Sequence, residues 1–218
     1  MNVKAKPLVK ICGIRDADIL AACDDAGADF VGLVFYPHSV RYVSPDRGQI
    51  MLRKRPKNAR IVALVVDESM SRLEEIMEKV KPDYIQLHGF ETPERAEEVR
   101  RTFNVGIIKA LGVSDASDIH RAGLYTAADY LLLDAPAGDQ PGGNATAFDW
   151  NILMNAKLSM PWLLAGGLTP QNVAKAIEKT NPAGVDVSSG VERRRGEKDP
   201  ELVQAFISAV KAPPPAPV

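Results

Sequence analysis

Eight short apolar runs recur along the chain, at 8–12, 29–35, 60–66, 83–88, 106–110, 129–134, 161–165 and 183–188. Between them lie stretches whose apolar positions fall three and four residues apart, near 16–26, 46–54, 69–80, 93–102, 115–122, 149–158, 170–179 and 199–211. The first set reads as buried strands and the second as amphipathic helices. Near-continuous apolar strands separated by helices imply a parallel sheet covered by helices. Eight such units in a chain of this length fit a closed (β/α)₈ TIM barrel, an α/β fold, as one domain over 1–211. An open doubly wound sheet is the alternative, because strand order is not written in a sequence.

Local signals sharpen the boundaries. Asp16, Ser69, Thr92 and Thr169 stand where helix N-caps are expected, and Pro93 and Pro170 follow at the first helical position, where a missing N–H is harmless. Gly27 is a stop signal for the first helix. A faint repeat marks three strand entries: Ala28-Asp29-Phe30, Pro82-Asp83-Tyr84 and Ala128-Asp129-Tyr130. Aligning them makes Val34, His88 and Asp134 equivalent, at the C-terminal strand ends where barrel enzymes carry their chemistry. Alternation puts Gln86 on the same face as His88. The segment 136–147 is glycine-rich and reads as a lid loop, and 212–218 as a Pro-rich disordered tail.

Composition then narrows the function classes. The chain has 27 basic and 28 acidic residues, net −1. It therefore lacks the excess positive charge of a nucleic-acid binder. The Arg193-Arg194-Arg195 cluster reads as a solvated loop. No apolar run approaches a membrane span, and the N-terminus has no secretory h-region. Two cysteines, Cys12 and Cys23, make no disulfide framework, and a reducing cytoplasm is expected. His38, His88 and His120 show no metal-ligand spacing with either cysteine, so no metal site is assigned.

Candidate chemistry gathers at the strand ends. Ala165-Gly166-Gly167-Leu168 and Asp186-Val187-Ser188-Ser189-Gly190 close the seventh and eighth strands, where barrels often bind phosphate through backbone N–H groups. Cys12 closes the first strand beside Gly13, with Lys10 on the same face. It reads either as a small buried apolar residue or as a base whose pKa the Lys10 ammonium lowers. Asp134 ends the apolar sixth strand and either caps a loop or serves as the acid partner of Cys12. Arg41, after the second strand, reads either as a solvated loop residue or as one that reaches over the mouth to bind a carboxylate or phosphate bidentately. Lys109 reads as a barrel-mouth cation or a salt-bridge partner. Cys23 and His120 read as structural.

Taken together, Lys10-Ile11-Cys12-Gly13, Ser39-Val40-Arg41-Tyr42-Val43, Gln86-Leu87-His88-Gly89, Leu133-Asp134-Ala135, Phe148-Asp149-Trp150, Ala165-Gly166-Gly167-Leu168 and Asp186-Val187-Ser188-Ser189-Gly190-Val191-Glu192 resemble the phosphoribosylanthranilate isomerases, in that family's order. The resemblance implies a cofactor-free Amadori rearrangement of N-(5-phosphoribosyl)anthranilate in tryptophan biosynthesis. It makes Asp134 the general acid on the ribose ring oxygen and Cys12 the general base at C2. Arg41 would pair with the anthranilate carboxylate, and Gly166, Gly167, Ser189 and Gly190 would cradle the phosphate. Lys10, Gln86, His88, Asp186 and Ser188 complete the expected substrate-binding set. Three segments depart from the family pattern: Val40 and Arg195 each replace a proline, and Gly142-Gly143-Asn144-Ala145 replaces Gly-Gly-Thr-Gly.

The expected partner is a small phosphorylated substrate, with no nucleic acid or membrane, and the protein is expected to be a monomer or homodimer. Two alternatives remain at this level: another phosphosugar barrel enzyme, or a non-catalytic phosphosugar-binding barrel.

Overall fold

The computed structural model describes residues 6–134, 150–153 and 158–212. The lid expected at 136–147 and the tail from 213 onward lie outside the described residues. Eight parallel strands are present: β1 (Leu8–Cys12), β2 (Phe30–Val34), β3 (Arg60–Val65), β4 (Tyr84–Leu87), β5 (Gly106–Gly112), β6 (Tyr130–Asp134), β7 (Trp162–Leu164) and β8 (Gly184–Val187). They pair in sequence order, and β1 returns to β8 through the register Leu8↔Gly184 to Ile11↔Val187. That closure decides for the barrel over the open sheet.

Helices α1 (Ala17–Ala26), α2 (Pro45–Met51), α3 (Met70–Val80), α4 (Pro93–Phe103), α5 (Ala116–Ala122), α6 (Val173–Thr180) and α7 (Pro200–Lys211) surround it. A short hairpin, β9 (Glu192–Arg194) with β10 (Glu197–Lys198), precedes α7. The Asp16, Ser69 and Thr92 side chains accept from first-turn N–H groups of α1, α3 and α4, and Gly27 ends α1 at φ 92°. None of the described helices is long and apolar enough to cross a membrane.

Two helical expectations need correction. Thr169 does not cap a helix, because α6 begins at Val173, after a turn through Pro170. The Thr169 N–H donates instead to Asn172 Oδ1 at 2.8 Å, so the Thr-Pro pair shapes the loop after β7. Within the stretch expected as a helix at 149–158, Trp150–Leu153 forms a single 3₁₀ turn, and 154–157 lie outside the described residues.

The repeated Asp-aromatic pair proves structural. Asp29 donates its N–H to the Val9 carbonyl and accepts the Val9 N–H on its carboxylate at 2.8 Å. Asp83 does the same with Ile61 at 2.7 Å, and Asp129 with Ile107 at 2.8 Å. Each carboxylate also meets a cation, namely Lys211, Arg55 and Arg100 respectively. The following aromatics, Phe30, Tyr84 and Tyr130, turn inward and pack edge to face, with centroids 5.5–6.1 Å apart. This geometry is favoured by the ring quadrupoles. They floor the barrel at its N-terminal end, with the Arg60 guanidinium over Phe30 and Tyr84.

Alternation sorts the remaining strand residues. Val9, Ile11, Val31, Leu33, Ile107 and Leu131 face the helices in the large outer core. Val62, Ile108, Leu132 and Leu163 fill the barrel above the aromatic floor, and Cys12, Val34 and Leu64 cluster near the mouth. The interior is therefore a packed column, and chemistry is confined to its upper rim.

Candidate active site

Lys10 rises from the middle of β1 and is fully buried. A buried ammonium requires a counter-charge, and Asp186 on β8 supplies it at 2.7 Å, as their paired register dictates. Burial works against the Lys10 charge, but Asp186 and Cys12 outweigh it and hold the pKa above its ordinary value. Cys12 lies one inward position higher. A Cβ on Gly32 would stand 3.0 Å from the Cys12 sulfur and 3.4 Å from Lys10 Nζ, so glycine there leaves room for the two groups to meet.

The expectation for the Cys12 thiol is reversed. Burial pushes its pKa up, against the pull of Lys10, and Asp186 adds to the rise. The ammonium is present as expected, but its charge is already largely answered by a carboxylate from the far end of the chain. Cys23 is buried in α1 and pushed up to about 12 by burial, in keeping with its structural reading.

Across the mouth, Asp134 ends β6 and is partly exposed. Its Oδ2 lies 4.0 Å from His88 Nε2. Gln86, fully buried below, has its amide nitrogen 2.8 Å from His88 Nδ1. Burial, aided by Lys10 and Lys109, lowers the His88 pKa to about 4, so the ring is neutral near pH 7. A cleft of about 550 Å³ opens beside His88 and Asp134 and runs toward Phe90, Arg121 and Tyr125.

Arg41 is nearly buried, and its stem lies on the turn after β1. A Cβ on Gly13, whose φ is +82°, would stand 2.4 Å from Arg41 Cδ. Its Nε and Nη2 donate to the two oxygens of Glu192 at 2.7 and 2.8 Å. This fork-to-carboxylate pair is internal, and among the described residues Nη1 makes no hydrogen bond. Glu192 also takes Lys198 and the Gly196 N–H. Burial alone would raise its pKa, but Arg41 and Lys198 bring it down to about 2. Lys198 reaches on to the Ser188 carbonyl at 3.2 Å, and the Ser188 hydroxyl donates to the Cys12 carbonyl at 3.1 Å. The hairpin is thereby fastened to the ends of β8 and β1.

The loops after β7 and β8 meet. Gly166 and Gly167 have φ of 87° and 64°, a conformation that favours glycine, and their N–H groups have no backbone acceptor among the described residues. Ser189–Val191 forms a 3₁₀ turn. Asn172 donates from Nδ2 to the Gly167 carbonyl at 2.9 Å while accepting from Thr169. The turn after β7, braced by Asn172, and the adjacent turn after β8 together present backbone groups of the kind that bind anions.

Lys109 turns out to be the salt-bridge partner, not a mouth cation. It is mid-strand and outward-facing, and pairs with buried Glu91 at 2.7 Å. Glu91 also accepts the N–H groups of Asp67 and Gly89, which holds the loop carrying His88. Sequence reasoning missed Glu91, Lys198 and Asn172 as parts of this frame.

The site therefore gathers Cys12, Lys10 and Asp186 on one side, Gln86, His88 and Asp134 on the other, and the paired glycine turns between β7 and β8. The family profile of N-(5'-phosphoribosyl)anthranilate isomerase matches residues 9–209. The chain is 48% identical over 207 residues to the N-(5'-phosphoribosyl)anthranilate isomerase of Paramagnetospirillum magneticum, covering 93% of this chain and 96% of that protein. It is 46% identical to that of Rhodospirillum rubrum, covering 95% and 99%. The solved isomerase of Thermotoga maritima superposes with a TM-score of 0.86 at 35% identity, covering 94% and 98%. An isomerase in complex with reduced 1-(o-carboxyphenylamino)-1-deoxyribulose 5-phosphate superposes at 0.83 with 34% identity, covering 94% and 98%. With the match running almost end to end on the same barrel, the chain belongs to the N-(5'-phosphoribosyl)anthranilate isomerase family.

Proposed function

We propose that this protein converts N-(5-phosphoribosyl)anthranilate to 1-(2-carboxyphenylamino)-1-deoxyribulose 5-phosphate by general acid–base catalysis, as a cytoplasmic enzyme of tryptophan biosynthesis. The observation that carries the reading is the placement of Cys12 and Asp134 at the ends of β1 and β6, with the glycine turns of β7 and β8 on the short arc between them. A sugar anchored by its phosphate on that arc has one rim group on either side.

Asp134 donates its proton to the ribose ring oxygen, the C1–O bond breaks, and a cationic Schiff base forms. Cys12, as thiolate, takes the proton from C2, and the resulting enolamine tautomerises to the ketone. Burial opposes ionisation of the thiol while Lys10 favours it, and the cationic intermediate adds a second positive charge. The remaining Nη1 of Arg41 faces the task of binding the anthranilate carboxylate. Gly166, Gly167, Ser189 and Gly190 take the phosphate, with Ser188, Lys10 and Asp186 holding the rim beside it. Every named residue belongs to one copy, so the reading holds for a monomer or a homodimer.

The test follows the fluorescence of freshly prepared phosphoribosylanthranilate. Turnover is expected without added metal and in the presence of a chelator. No turnover by folded protein would overturn the assignment. Asp134→Asn and Cys12→Ala should each lower kcat by about 100-fold or more, the scale of general acid–base contributions, with product affinity little changed.

A further inference from the structure

Gln86 and His88 lie one inward position apart on β4, and their contact is directional. The Gln86 amide nitrogen, 2.8 Å from His88 Nδ1, has only protons to offer. A neutral imidazole meets it with a bare Nδ1, so the ring's single proton sits on Nε2. That nitrogen faces Asp134 Oδ2 at 4.0 Å. The distance exceeds a hydrogen bond, but catalytic contacts are often long before substrate binds and shorten in the complex. Gln86 is fully buried, and among the described residues its Oε1 has no hydrogen-bond partner. Turning the amide over would bring that oxygen to Nδ1 and move the ring proton to it, leaving Nε2 as a lone pair against a carboxylate.

We propose that Gln86 is a positioning residue that holds His88 as a neutral Nε2–H donor toward Asp134. The inference rests on the reading of Asp134 as the general acid. When Asp134 gives its proton to the ring oxygen it becomes a carboxylate, and a fixed N–H donor beside it stabilises that product of the transfer. A neutral donor suits this role better than an imidazolium, which would favour the carboxylate before reaction and leave no proton to give. The barrel interior supplies both conditions. Burial keeps the ring uncharged, and the amide chooses which nitrogen is protonated.

The test combines ¹⁵N NMR of histidine-labelled protein with kinetics of two variants. The His88 signals are assigned by their loss in His88→Gln. In the unsubstituted protein, Nδ1 should read as unprotonated and Nε2 as protonated. In Gln86→Glu the acceptor carboxylate should move the proton to Nδ1 or protonate the ring, and kcat should fall about 100-fold with KM within about threefold. In Gln86→Met, which can neither donate nor accept through nitrogen or oxygen, the tautomers should mix and kcat should fall less. A protonated Nδ1 in the unsubstituted protein overturns the proposal, as does Gln86→Glu with its proton moved and kcat unchanged. Asp134→Asn separates the two readings. If it stays active, the acid assignment falls, while the NMR result still decides what Gln86 does to His88.

Discussion

Gly190 lies against the carbonyl oxygen of Leu168: a Cβ at position 190 would stand 1.8 Å from that oxygen. The turns after β7 and β8 are therefore in direct backbone contact, and the proposed phosphate site is a junction between two loops that only glycine permits at 190. A methyl group there must push the turns apart.

Gly190→Ala should consequently weaken phosphate binding before it affects proton transfer. KM for phosphoribosylanthranilate and Kd for inorganic phosphate should each rise by about tenfold or more, since backbone displacement at overpacked sites costs about 1–3 kcal/mol. The change in kcat should be smaller. Calorimetric titration with phosphate, alongside steady-state kinetics, checks this. Unchanged phosphate affinity would show that the junction is not the anion site.

Asp186 is expected to control Cys12 through Lys10. With the carboxylate in place, the thiol pKa is raised, chiefly by burial. Asp186→Asn removes an opposing negative charge and leaves more of the Lys10 charge for sulfur, so the thiol pKa should drop. The sign can be read from thiolate ultraviolet absorbance against pH, or from alkylation rates compared with Cys12→Ser. If the thiol pKa rises in Asp186→Asn, Lys10 has lost its own proton, and the ion pair is what keeps it charged.

Glu192 makes the hairpin acid-sensitive. Its folded pKa is depressed to about 2, so its contribution is fully present above the unfolded value near 4.3. That contribution is lost as pH falls through about 2. Linkage over this window amounts to roughly 3 kcal/mol. Denaturant unfolding at pH 6 and at pH 3 should show a loss in the unsubstituted protein that is smaller in Glu192→Gln. The variant should already be destabilised at pH 6, because Arg41 and Lys198 then face each other without their shared carboxylate.

How much of this was legible depends on how far apart the cooperating residues lie in the chain. The strands were readable because each apolar run reports its own burial. Cys12 and Asp134 were readable because a polar residue closing such a run stands out. The tie between Gln86 and His88 follows from two-residue alternation. The state of the Cys12 thiol was not legible, since it depends first on burial and then on Asp186, which shares only a lateral register with Lys10. Glu91, Asn172 and Lys198 were missed for the same reason. Each is an ordinary polar residue in a loop, near a helix start or in a hairpin, and acquires its role only from the backbone groups it meets. The Thr169-Pro170 signal misled because residues 170–172 form a turn and the helix begins only at Val173.

The aspartates at the barrel floor carry a different consequence. Asp29, Asp83 and Asp129 each bind the strand immediately before their own, so β1–β2, β3–β4 and β5–β6 are riveted as pairs. The seams between pairs, at β2–β3 and β4–β5, lack that rivet. The first six strands are in this sense three two-strand modules, and a chain divided at a seam between them would leave the rivets whole, whereas one divided inside a module would not.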